Sequence, residues 1–146
     1  MQFGISSSWV FVGVCLAAAV GCGSRANLHP VSGTVTYKSA PVEGAQVTFT
    51  AKEGDKLKAA HATTDAQGRF SLKTYFAPGD ERPGAMPGVY KVTLQKIPQS
   101  TGIVDPYKPG GMPKNELPGQ YASALSTPIE KEVTAGQNDF ALELAD

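Results

Sequence analysis

The sequence has no cysteine after Cys22, and it has no charged side chain before Arg25. The absence of cysteine from residues 23–146 excludes a disulfide scaffold, a thiol enzyme and a cysteine-ligated zinc site in that part of the chain. The spacings typical of zinc sites and of phosphate-binding loops are also missing, so we expect no metal and no cofactor. Lys and Arg together number 13, and Asp and Glu together also number 13, so the formal net charge is zero. The lack of excess positive charge argues against a nucleic-acid-binding protein.

Long helical patterns are scarce, whereas Val, Thr, Tyr and Phe are plentiful. This composition excludes a coiled coil, a helix bundle and a multi-span membrane protein. A length of 146 residues argues for one domain.

The N-terminal segment differs from the rest of the chain, because residues 9–22 are almost wholly apolar. The run is shorter than the ~20 residues of a spanning helix. It is typical of the apolar region of a secretory signal, which small residues follow. The alternative is a buried strand or helix, but Ala18-Ala19-Val20-Gly21 has neither strand chemistry nor a polar face.

The tetrapeptide Ala19-Val20-Gly21-Cys22 resembles a bacterial lipobox. The resemblance implies a lipoprotein: residues 1–21 form a signal peptide, Cys22 receives diacylglycerol and an acyl chain such as palmitate, and residues 22–30 form a tether. Ala19 replaces the usual Leu, and the first eight residues contain no Lys or Arg, which weakens the export signal or means that the true start differs from Met1. A plain signal peptide cut near Ala19 or Gly21 is the alternative.

From Val31 onward, apolar and polar residues alternate in short stretches, which predicts half-buried strands. The predicted strands cover residues 31–38, 45–52, 59–64, 69–75, 89–97, 129–134 and 140–144. Turn residues separate them, and Asp65-Ala66-Gln67-Gly68 has the pattern of a type I turn with a glycine bulge. Seven short strands predict an all-β, antiparallel β-sandwich that folds as a monomer without metal or disulfide.

Two stretches, residues 76–87 and 98–128, interrupt the alternation and hold nine of the 11 prolines. Proline cannot donate to a sheet ladder, so neither stretch is a central strand. We expect both to be loops that are mobile or functional. Leu117 and Tyr121 are the residues expected to dock the second loop on the sandwich.

Residues 30–145 resemble the carboxypeptidase regulatory-like domain. The segments that carry the resemblance are Gly33–Tyr37, Pro41–Phe49 and Thr64–Leu72. Three later segments are similar to small lipoproteins of planctomycete-type bacteria, namely Pro87–Val92, Leu117–Tyr121 and Val133–Phe140. The resemblance implies a transthyretin-like (prealbumin-like) sandwich of seven strands over residues 31–146, with an accessory or structural role and no catalysis.

An enzyme is the less favoured hypothesis. One hydrolase with a transthyretin-like fold uses histidines, an arginine and a C-terminal Tyr-Arg-Gly-Ser motif, whereas this chain ends Glu143-Leu144-Ala145-Asp146. Ser71, His61 and Asp65 form a catalytic triad on paper, but no nucleophile-elbow sequence surrounds the serine. Scattered acidic residues also argue against a calcium cage.

We therefore expect a non-catalytic, lipid-anchored domain with a structural or adhesive role, located in the cell envelope and facing the periplasm or cell surface. Its expected partners are the membrane, through Cys22, and an envelope protein or glycan. The alternative is a carbohydrate- or peptide-binding module that presents the loops 76–87 and 98–128. Its candidate stacking residues are Tyr75, Phe76, Tyr107 and Tyr121, for each of which core packing or loop docking is the competing use.

Overall fold

A computed structural model describes residues 27–52, 57–98 and 113–146. The predicted signal peptide, Cys22, Tyr107 and much of the second predicted loop lie outside these ranges. In the part that is described, the chain forms ten strands and one short 3-10 helix, Gly119–Ala122. No helix in that part is long and apolar enough to cross a membrane.

The strands form two sheets that pack in a sandwich-like arrangement. The bounds are β1 Val31–Tyr37, β2 Ala40–Pro41, β3 Gln46–Ala51, β4 Ala60–Thr63, β5 Arg69–Ser71, β6 Lys73–Ala77, β7 Asp80–Pro83, β8 Gly88–Gln95, β9 Glu130–Val133 and β10 Asn138–Leu144. The first sheet has the order β10-β1-β2, with β5 also paired to β1, and the second has the order β7-β6-β4-β3-β8-β9. The predicted all-β, two-layer architecture is confirmed.

The core lies between the sheets and is built from the apolar half of each alternating strand. Phe49 is fully buried, and its ring centroid lies 5.9 Å from Tyr90, 6.0 Å from Phe140 and 6.4 Å from Phe70. The inward orientation predicted on three strands is confirmed by burial of Phe70, Leu72, Tyr90, Val92, Leu94, Leu142 and Leu144. Phe140, also predicted to point inward, is half-buried.

The strand predicted over residues 69–75 is two strands in different sheets. β5 pairs with β1, whereas β6 pairs with β4. Leu72 joins them: its N–H donates to the carbonyl of Val31 at 2.9 Å, and its carbonyl accepts the N–H of Gly84 at 2.8 Å. The chain therefore changes sheets at Leu72, although the alternation of buried and exposed residues continues through it.

The prediction that residues 76–87 form a strand-free loop is wrong. β6 extends to Ala77, and β7 pairs with it in a hairpin. Because β7 is the edge strand of its sheet, Pro83 removes no hydrogen bond from the interior of the ladder. The narrower expectation, that this stretch is not a central strand, is confirmed. The extra hairpin strand, the division at Leu72 and the two-residue β2 explain why ten strands replace the predicted seven.

The expectation of purely antiparallel pairing is wrong for one pair of strands. β1 and β10 run parallel, from Val31 opposite Asn138 to Tyr37 opposite Leu144. Tight turns enforce antiparallel pairing only on strands that follow each other in the chain. Within the described ranges, β1 and β10 are the first and last strands, and the other described strands lie between them in the sequence.

The far end of the second predicted loop is docked on the sandwich, as predicted, through Leu117 and Tyr121, both of which are buried. The Tyr121 hydroxyl donates to the carbonyl of Ala145 and accepts its N–H, each at 3.1 Å. Gln95 on β8 adds a bond from Nε2 to the carbonyl of Ala122 at 2.9 Å.

Candidate functional site

A polar cleft of about 530 Å³ lies where the chain leaves β4, turns and changes sheets. Its ionisable lining residues are His61, Asp65, Arg69, Lys73 and Glu81. Ser71 also lines it, so the structure brings together the three residues from which the sequence allowed a triad.

Asp65 shapes the turn at one end of the cleft. Its Oδ1 accepts the backbone N–H groups of Gln67 at 2.9 Å and Arg69 at 2.8 Å, and its Oδ2 accepts Nε of Arg69 at 3.1 Å. The Arg69 N–H contributes most to lowering the pKa of the Asp65 carboxyl below its ordinary value, and the Gln67 N–H and the guanidinium add to it. Gly68 has the positive φ, 72°, that the predicted turn requires.

His61 points to a different carboxylate. Its Nε2 lies 3.5 Å from Oε1 of Glu81, and both side chains are about half exposed. Among the contacts of the described residues, His61 is thus joined to Glu81 and Asp65 to its own turn, so the Ser71–His61–Asp65 hydrogen-bond chain is not formed. Nor do the described ranges contain a group of three or more His, Cys, Asp or Glu side chains suited to a metal ion.

One hydrogen-bonding pair is missing from the hairpin that frames the cleft. β4 pairs with β6 at Ala60↔Thr74 and His61↔Lys73. At the turn, the N–H of Asp65 donates to the carbonyl of Arg69 at 2.8 Å. This register places Thr63 opposite Ser71, but in the described structure β4 and β5 are not paired.

The pairing is interrupted because β5 belongs to the other sheet. Phe70 stands opposite Gly33 on β1, and neighbouring residues of a strand direct their backbone groups to opposite sides. The N–H and C=O of Ser71 are therefore directed away from β1, into the cleft. Directly after β4, the N–H of Thr64 donates to the carbonyl of Ala45 in the chain leading into β3, so the backbone groups of Thr63 face the cleft from the opposite wall.

The four candidate stacking residues do not form one surface. Tyr75 is 46% exposed and stands opposite Glu81 in the hairpin of β6 and β7. Phe76 is half-buried, and the guanidinium carbon of Arg82 lies 4.7 Å from its ring centroid. Tyr121 is buried and packs near β8. In the sheet, β3 and β4 lie between β8 and β6. Tyr107 lies outside the described residues.

The sequence predicts Ser71, His61 and Asp65 as candidate site residues, but it does not indicate the other cleft residues Thr63, Lys73 and Glu81. Exposed charges on strands are ordinary, so no local signal marks Lys73 or Glu81. The role of Thr63 depends on the sheet change at Leu72, which the alternation of residues does not reveal.

Residues 31–98 match the model of DUF6795, a domain of unknown function, over a little under half of the chain. The chain is also similar to a crystal structure of a DUF3823 family protein from Parabacteroides merdae, with a TM-score of 0.44 and 14% sequence identity. That match covers 83% of this chain and 47% of the other protein, so the chain spans about half of its length. No curated protein matches the chain significantly.

Proposed function

We propose that this chain is a non-catalytic β-sandwich domain, held at a bacterial membrane by lipid on Cys22, with a structural or adhesive role in the cell envelope. The observation that carries the non-catalytic part is that the Asp65 carboxylate accepts hydrogen bonds from the backbone of its own turn. The contact of His61 with Glu81 supports the same view, because it leaves no oriented base beside Ser71. A carboxypeptidase regulatory-like, transthyretin-like classification and a monomeric state are parts of this proposal.

The anchoring part rests on the lipobox-like tetrapeptide and on where the sandwich begins. His29 forms an isolated bridge with Ala85, and its Nδ1 accepts the N–H of Gly136 at 2.9 Å. The seven residues from Cys22 to His29 reach about 25 Å when fully extended. The end of the sandwich that carries Ala85 and Gly136 would therefore stay close to the bilayer.

Intact mass of the membrane-bound protein tests the anchor. Each buried CH₂ contributes about 0.8 kcal/mol, so two or three acyl chains hold a protein on a membrane firmly. We expect lipid on Cys22, and we expect Cys22→Ser to lose that lipid and release the domain from membranes. Cys15→Ser is the matched control and leaves lipidation unchanged. A membrane form without lipid on Cys22 contradicts the proposal.

A pull-down of the mature domain from envelope extracts tests the structural role. Reproducible co-purification of defined envelope proteins supports it. The alternative, a carbohydrate- or peptide-binding module using the loops 76–87 and 98–128, predicts binding on a glycan or peptide array instead. In the described residues, that alternative is supported only by the exposed ring of Tyr75.

A further inference from the structure

The missing pair of the hairpin leaves hydrogen-bonding groups of both kinds facing the cleft. Thr63 and Ser71 each direct one N–H donor and one C=O acceptor towards it, as the alternation along β4 and β5 requires. The hairpin is closed at both ends, by Asp65 with Arg69 and by His61 with Lys73. A through-running peptide strand is therefore excluded, and the space between Thr63 and Ser71 suits the polar end of a small molecule.

The charged side chains beside this opening include as many Lys and Arg as Asp and Glu residues. Arg69 is already paired with Asp65. The Lys73 ammonium has no ion pair within the described ranges, and Glu81 has only the contact with His61. Lys73 and Glu81 both line the cleft, yet they do not approach within the 4.0 Å of an ion pair with each other. The cleft therefore presents one cation and one anion that do not neutralise each other.

We propose that this cleft binds a small zwitterion of the α-amino acid type. The ligand carboxylate would accept from the Lys73 ammonium and from a backbone N–H of Thr63 or Ser71. Its ammonium would donate to Glu81 and to a backbone carbonyl of the same two residues. Hydrogen bonds between ionised groups are the strong ones, so both ends of the ligand contribute to affinity.

The balance of charge is what selects this class. A simple anion would pair with Lys73 but could not donate to Glu81 or to the two carbonyls, and a simple cation would pair with Glu81 but could not accept from Lys73 or from the two N–H groups. A cleft of about 530 Å³ is large enough for an amino acid together with its side chain. The inference goes beyond the proposed function and does not depend on the membrane anchor.

An NMR titration of the full-length chain in detergent with glycine, L-alanine and L-serine tests the proposal. The chemical shifts of the backbone amides are followed. We expect saturable shifts centred on Thr63 and Ser71. Glycinamide and N-acetylglycine, each lacking one charge, should bind about tenfold more weakly or not at all. Lys73→Gln and Glu81→Gln should each weaken glycine binding about tenfold, and both positions are exposed, so the fold should survive.

Lys58→Gln and Glu132→Gln are matched controls, because both side chains are exposed and neither lines the cleft. They should leave glycine binding unchanged. The absence of saturable shifts at Thr63 and Ser71 with all three amino acids would mean that the cleft holds only water, and it would overturn the proposal. Equal binding of glycinamide, N-acetylglycine or glucose would also overturn it, because the site would then not select a zwitterion.

Discussion

The ring of Phe70 lies directly over Gly33, its partner across β1 and β5. A Cβ atom placed on Gly33 would stand 2.7 Å from Cζ of Phe70 and would overlap the carbonyl oxygen of Phe140 on the other side. The central strand of the first sheet therefore needs glycine at this position because two neighbouring strands approach it closely.

Gly33→Ala should lower the free energy of unfolding by about 1–3 kcal/mol, the range found for overpacked cores. Moving Phe70 is costly, because its ring also packs against Phe49 in the core. Urea denaturation of the two proteins measures the difference.

Gly119→Ala is the control for that experiment. Gly119 has no heavy atom within 4 Å of an added Cβ, and its backbone does not have a positive φ. Its free energy of unfolding should stay close to that of the unmodified chain. Equal stability of Gly33→Ala and Gly119→Ala would contradict the close packing described for Gly33.

Asp65→Asn should reduce stability in a pH-dependent way. The hydrogen bonds from Arg69 and Gln67 lower the pKa of Asp65 in the folded state. The charged carboxylate therefore stabilises the fold above its unfolded-state pKa of about 3.9, and this contribution is lost as the pH falls through the lower folded-state value. The difference between the two proteins should be present at neutral pH and shrink in acid.

Urea denaturation at several pH values measures that difference. Glu132→Gln, which makes the same kind of isosteric change at an exposed carboxylate outside the turn, serves as the control substitution and should change the free energy of unfolding little at each pH. A penalty for Asp65→Asn that is the same at neutral and acidic pH would show that the carboxylate charge does not stabilise the turn.

The turn at Asp65 could be predicted from sequence because its determinants are local. Asp65 and Gly68 act on residues within four positions of themselves, and the structure has the bonds and the positive φ that the pattern predicts. The alternation of Tyr90, Val92 and Leu94 predicted their burial for the same reason. These local signals account for most of the strands, for the core and for one end of the cleft.

The division of the chain at Leu72 could not be predicted in this way. Phe70, Leu72 and Thr74 are all buried, so the alternation is the same whether the strand stays in one sheet or changes to the other. The strand that draws β5 away, β1, lies far away in sequence. The opening between Thr63 and Ser71 follows from that long-range pairing. Local sequence patterns therefore predict only part of the cleft.

Asn138→Asp should destabilise the fold by about 1–3 kcal/mol, the cost of unsatisfied buried polar groups. The buried Nδ2 of Asn138 donates to the carbonyls of Pro30, Thr134 and Gly136 at 3.3, 3.0 and 3.1 Å. A carboxylate cannot donate and would face three carbonyl oxygens. Thermal unfolding monitored by circular dichroism measures the loss.

The neighbouring change Asp139→Asn is the control, because it makes the reverse isosteric swap at an exposed position. It should alter the unfolding temperature little. Lower pH should partly restore Asn138→Asp, since a protonated carboxyl regains one donor. A variant Asn138→Asp as stable as Asp139→Asn would show that these three hydrogen bonds stabilise neither the turn between β9 and β10 nor its link to Pro30 before β1.

Tyr121→Phe tests whether the hydroxyl of this side chain docks the loop on the sandwich. If Tyr121 docks the loop, loss of the hydroxyl removes both bonds to Ala145 and should cost about 0.5–1.5 kcal/mol of unfolding free energy. Tyr75→Phe is the matched control, since its ring is 46% exposed and the same atom is removed. Urea denaturation should therefore separate the two variants. Equal stability of the two variants would show that the bonds between the Tyr121 hydroxyl and Ala145 do not hold the loop on the sandwich.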